Sequence, residues 1–130
     1  MVEIININTT KRTQLIDITS QVSETVRKSN IKDGVCVVYV PHTTAAVTIN
    51  ENADPNVRED IINIIDHIVP WQYDYKHLEG NSPAHIKATL IGPSVTIFIE
   101  NTHLSLGTWQ GVFFCEFDGP RSRRVLVKAF

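Results

Sequence analysis

The chain has 130 residues, 42 % hydrophobic and 20 % charged, with a net charge of −2. That is ordinary globular composition, long enough for one real core but not two, so one domain over residues 1–130 is expected. The charge balance gives no electrostatic case for nucleic-acid or membrane binding, and no apolar run approaches the ~20 residues of a membrane span. The first residues, Met1-Val2-Glu3, lack a basic-then-apolar leader, and a cytoplasmic protein is the default expectation. Cys36 and Cys115 sit inside apolar runs and form no CxxC pair, so they read as small core residues.

Residues Glu3 to Thr9 alternate as a first strand, and Lys11 to Ile18 suggests a second. Thr19 or Ser20 is placed to cap a helix carrying Val22 and Val26 one turn apart and ending near Asn30. Asp33-Gly34 turns into the near-continuous apolar strand Val35 to Val40, which Pro41 stops. Thr43 to Asn50 resumes as strand. Asp54-Pro55 is a helix start, with Asp as cap and Pro in the first turn. Val57, Ile61, Ile64 and Ile68 follow at helical spacing until Pro70. Trp71 to Gly80 is a polar and aromatic loop, and Ser82-Pro83 opens a short capped helix stopped by Gly92-Pro93. Strands at Ser94 to Glu100, Thr108 to Phe117 and Arg123 to Phe130 complete the chain. Strands and helices intersperse without regular βαβ alternation, which predicts an α+β fold.

In the strand after Gly107-Thr108-Trp109-Gln110-Gly111, alternation puts Gln110, Val112, Phe114, Glu116 and Asp118 on one side. Trp109, Phe113, Cys115 and Phe117 then face the other way, as a core set. A carboxylate among aromatics needs a partner or a task. Glu116 is therefore either paired with a nearby arginine or a site group beside Gln110.

Three histidines stand where sites are commonly built. His42 follows Pro41 at a strand end, His77 lies in the aromatic loop, and His85 falls in the first turn of the short helix. A helix N-terminus disfavours a nearby cation and offers free N–H groups to an anion, with Lys87 close by. Each histidine taken alone is more often structural than functional. Asn50 and Glu51 form a second polar cluster after a strand; Glu51 suits a hard cation such as Mg²⁺ or is simply a solvated loop residue. P-loop, dinucleotide, zincin and nucleophile-elbow patterns are absent.

The segments Pro41-His42-Thr43-Thr44, Thr48 to Arg58, Gly80 to Lys87, Gly107 to Gly111 and Glu116 to Arg121, in that order, resemble the YjbQ family, often labelled secondary thiamine-phosphate synthase. The resemblance spans essentially the whole chain. It implies a mixed, barrel-like sheet with two or three helices packed on it, a homotrimer with pockets near subunit boundaries, and a thiamine-phosphate synthase side activity that normally uses Mg²⁺. Matching positions are His42, Thr43, Asn50, Glu51, His77, Asn81, His85, Lys87, Trp109, Gln110, Glu116 and Arg123. Assigned by chemistry, His42, His85, Glu116 and Gln110 form the expected catalytic set. Thr43, Asn50, Glu51, Asn81, Lys87, Trp109 and Arg123 are expected to hold a small phosphorylated metabolite. Two alternatives remain open at this point. One is a zinc enzyme built on His42, His77, His85 and Glu116; the other is a trimer that binds a phosphometabolite without turnover.

Overall fold

A computed structural model describes all 130 residues. The strands are β1 (Glu3–Asn8), β2 (Gln14–Asp17), β3 (Asp33–Tyr39), β4 (Ala45–Glu51), β5 (Ser94–Glu100), β6 (His103–Leu104), β7 (Gln110–Glu116) and β8 (Ser122–Ala129). The helices are α1 (Thr19–Ser29), α2 (Pro55–Ile68) and α3 (Ser82–Ile91). The α+β architecture is as expected. Its strands form a five-stranded sheet, β1-β8-β3-β5-β6, and a three-stranded sheet, β2-β7-β4. Every pairing is antiparallel, so the sheet is not mixed in direction as the resemblance implied. No helix is long and apolar enough to cross a membrane.

Alternation in β7 places its side chains as read from the sequence, but both faces are buried. Val112 and Phe114 join the main core with Val38, Val125, Val127 and the α1 residues Val22 and Val26. Phe113, Cys115 and Phe117 form a second core with Leu15, Ala46 and the α3 residues Ala84 and Ala88. A strand at the centre of its sheet, covered on each side, has no solvent face for Glu116. Trp109 departs from the expected core set: it precedes β7 in a turn and is 63 % exposed.

The helix starts follow local hydrogen bonding. Asp54 caps α2, its carboxylate accepting from the Asn56 N–H at 2.9 Å. For α1 the expected Thr19 or Ser20 cap is replaced by Asp17, which accepts from the Thr19 N–H and hydroxyl at 2.9 and 2.6 Å. This leaves Ile18 at the helix boundary free to be fully buried. The expected Ser82 cap of α3 is likewise absent: Asn81 stands at the boundary and spends its amide elsewhere.

The apolar stripe of α2 is only partly covered, with Ile61 and Ile62 packed against the second core. None of its residues is buried, and Ile64 and Ile68 are 58 % and 64 % exposed. The outer face of the five-stranded sheet is bare, with Ile4, Tyr39, Phe98 and Phe130 exposed.

Candidate functional site

The turn from β7 to β8 builds the polar centre. Glu116 has no solvent exposure. Its carboxylate accepts from Arg123 Nε at 2.8 Å and Nη2 at 2.5 Å, from the Thr9 hydroxyl at 2.7 Å, and from the Asp118 N–H at 3.0 Å. Arg123, also buried, gives its remaining contacts to Thr44, at 2.8 Å to the hydroxyl and 3.3 Å to the carbonyl. The Thr9 hydroxyl accepts in turn from the Arg121 N–H at 2.8 Å. Burial alone pushes the Glu116 carboxyl up. The Arg123 hydrogen bonds and charge, with Asp118 N–H and Thr9, outweigh it and hold the group below its ordinary value. Of the two readings of Glu116, the arginine-paired one is the geometry observed, and the same bonds occupy Arg123. Neither side chain is free to contact a ligand as the catalytic and substrate-binding assignments required. Gly119 closes this turn so tightly that a Cβ would strike the Lys11 carbonyl and the Glu116 side chain.

Directly above this network lies a cleft of about 430 Å³ lined by His42, Thr43, Ala45, His85, Ala88, Thr89 and Pro93. His42 comes from the chain between β3 and β4, and its Nε2 accepts from the backbone N–H of Arg124 at 3.1 Å. Burial, then the charge of Arg123, keeps its pKa below the ordinary histidine value. His85 projects from the first turn of α3, with the His77 ring edge-on to it at 5.3 Å between centroids. Asn81, one turn before His85, donates to the Asp118 carboxylate at 2.8 Å. A carboxylate only accepts, so the amide orientation is fixed. The opposite Asn81 oxygen is buried with no partner.

Other expected ligand residues are spent or distant. Lys87 is buried and ion-paired with Asp66 of α2, so it ties two helices together and does not face a substrate. Asn50 and Glu51 bind local backbone, accepting from Glu51 N–H at 2.7 Å and Asp54 N–H at 3.2 Å. The Gln110 side chain accepts from the Gly107 N–H at 2.8 Å. Gln110 pairs with Glu51 and Glu116 with Ala45 across the same sheet. These ends are separated by six strand steps, roughly 20 Å at ~3.3 Å per residue. Trp109, Gln110, Asn50 and Glu51 therefore stand at the end of the sheet opposite His42 and Glu116, and one chain does not unite them.

A metal centre does not form either. No three His, Cys, Asp or Glu side chains converge as a cation site. The expected quartet of His42, His77, His85 and Glu116 fails because the Glu116 oxygens are already taken by Arg123, Thr9 and a backbone N–H. The buried thiols are not nucleophiles: burial pushes Cys36 to about 11 and Cys115 to about 12. Sequence reasoning missed Thr9, which lies at the far end of the chain and carries no local signal. It also missed Thr89, which helical spacing from His85 predicts on the same face.

The profile described as "UPF0047 protein YjbQ-like" matches residues 3–130. The chain belongs to the YjbQ/UPF0047 family. Among YjbQ relatives, the UPF0047 protein MJ1081 of Methanocaldococcus jannaschii is 56 % identical over 122 residues, covering 94 % of this chain and 88 % of the relative. The UPF0047 protein YugU of Bacillus subtilis is 46 % identical over 129 residues, 98 % of each chain. A YjbQ/UPF0047 crystal structure from Clostridium acetobutylicum, described as an uncharacterized conserved protein, superposes with a TM-score of 0.97 at 54 % identity, covering 98 % of this chain and 99 % of the other. A YbjQ-like protein of unknown function from Sulfolobus solfataricus gives 0.96 at 36 % identity, covering 99 % and 95 %.

Proposed function

We propose that this YjbQ-family chain binds a small phosphorylated metabolite in the cleft between His42 and His85 and acts on it as a cytoplasmic transferase. The observation that carries the reading is the meeting of two motif histidines from separate elements over one buried polar network. The Thr43 hydroxyl, which also lines the cleft, supplies a further donor, whereas the Thr89 hydroxyl is spent on the His85 carbonyl at 2.9 Å. The reaction suggested by the family's thiamine-phosphate label joins a pyrimidine pyrophosphate to a thiazole phosphate. Its leaving pyrophosphate needs positioned donors and cations more than a nucleophile. His42 and His85 are the groups suited to that task; Lys87 and Arg123 are not, because their partners are internal.

Calorimetric titration with inorganic pyrophosphate tests the binding half of the proposal, and pyrophosphate release from the two thiamine precursors tests the chemistry. Saturable one-site binding is expected. Absence of binding would remove the reading, and binding without turnover would leave a metabolite-binding protein in place of an enzyme.

The partly bare α2 stripe and bare sheet face support assembly as a homotrimer, in which each apolar surface meets its complement on the next copy. Light scattering at micromolar concentration is expected to report the trimer mass, and a monomer mass would contradict it.

A further inference from the structure

The β3–β8 ladder ends where Tyr39 pairs with Leu126. Pro41 then turns the chain away, and no strand partner remains on that side for the Arg124 N–H. A strand N–H left without a ladder partner turns to a side chain or to water. Here the acceptor is the His42 ring, at 3.1 Å. The strand cannot slide to release it, because the preceding residue, Arg123, points the other way and is clamped by Glu116 and Thr44.

That single bond determines the chemistry of the ring. An amide N–H only donates, so the His42 Nε2 must present its lone pair, and a neutral imidazole then carries its proton on Nδ1. We infer that strand β8 locks His42 as the Nδ1–H form, making it a fixed hydrogen-bond donor that selects a phosphoryl oxygen and excludes a metal ion. This rests on the cleft being the ligand site and specifies how that site recognises its ligand.

The exclusion of metal is stereochemical. A cation at Nδ1 would need the lone pair that the proton occupies, and a cation at Nε2 would need the lone pair that the Arg124 N–H already holds, breaking that bond. A phosphoryl oxygen needs neither change. Its negative charge suits the Nδ1–H donor. Burial and the neighbouring arginine charge keep the ring neutral near pH 7, so its donor character comes from the tautomer and not from protonation. His42 is thus a donor by constraint, whereas the His85 ring is unbonded and keeps either nitrogen available, only its backbone carbonyl accepting, from Thr89.

Long-range nitrogen–proton NMR correlation on the ¹⁵N-labelled protein at pH 7.5 reads this directly. The expected spectrum of the free protein shows a protonated Nδ1 and an unprotonated Nε2 for His42. Adding inorganic pyrophosphate is expected to move the His42 Nδ1 signal to saturation, and equimolar zinc chloride is expected to leave both His42 nitrogens unmoved. An Nε2–H tautomer in the free protein, or a zinc-induced shift at either His42 nitrogen, would overturn the lock. An Nδ1–H tautomer that ignores pyrophosphate would overturn phosphate as the ligand, and would count against the proposed function and not against the constraint from β8.

Discussion

Glu116→Gln is expected to destabilise the protein by about 3–5 kcal/mol, the cost of stranding a buried charge. The substitution preserves volume, yet the new amide has one acceptor oxygen where Arg123, Thr9 and Asp118 N–H present four donated bonds. The amide nitrogen would face a donor, and the buried Arg123 guanidinium would lose its counter-charge. For a chain of this length the melting temperature should fall by roughly 10–20 °C. The pH dependence supplies a second signature. The folded-state pKa of Glu116 is depressed below 4.5. Its contribution is therefore fully present above the unfolded value and is lost as pH falls through the folded value. Wild-type and variant melting curves should differ most near neutrality and converge in strong acid. A variant as stable as the wild type at pH 7 would contradict the structural role of Glu116.

His85→Ala should do the reverse, leaving stability nearly unchanged while weakening pyrophosphate binding by about 10–100-fold. The half-buried ring makes no hydrogen bond in the chain, and alanine is a good helix former. The lost contact would be a hydrogen bond to a charged oxygen, worth ~1.5–3 kcal/mol. His67→Ala, on the exposed side of α2, serves as the control and should bind as wild type. Equal affinity for His85→Ala and wild type would move the site away from α3.

Much of the fold was legible from local chemistry. Asp54-Pro55, Pro70 and Gly92-Pro93 mark helix ends where the structure has them, and period-two alternation places the strands. The start of α1 was misread because the cap comes from Asp17, two residues before the hydroxyl that looked like the cap. The burial of Glu116 could not be read from β7 alone. It depends on the second sheet covering that face, and on Thr9 and Thr44 arriving from distant segments. The separation of Gln110 from Glu116 was available from the sequence, since six steps along one strand already span roughly 20 Å. The isoleucines of α2 mark the opposite limit: the periodicity is real, but only Ile61 and Ile62 pack against the second core, and Ile64 and Ile68 stay exposed.

We place the proposed phosphate site in the cleft between His42 and His85. A crystal structure grown with inorganic pyrophosphate tests it most directly. Density is expected in that cleft, with one oxygen within hydrogen-bond distance of His42 Nδ1 and another near the His85 ring. Pyrophosphate bound instead at the Trp109 and Gln110 end of the sheet, with the histidine cleft vacant, would contradict it.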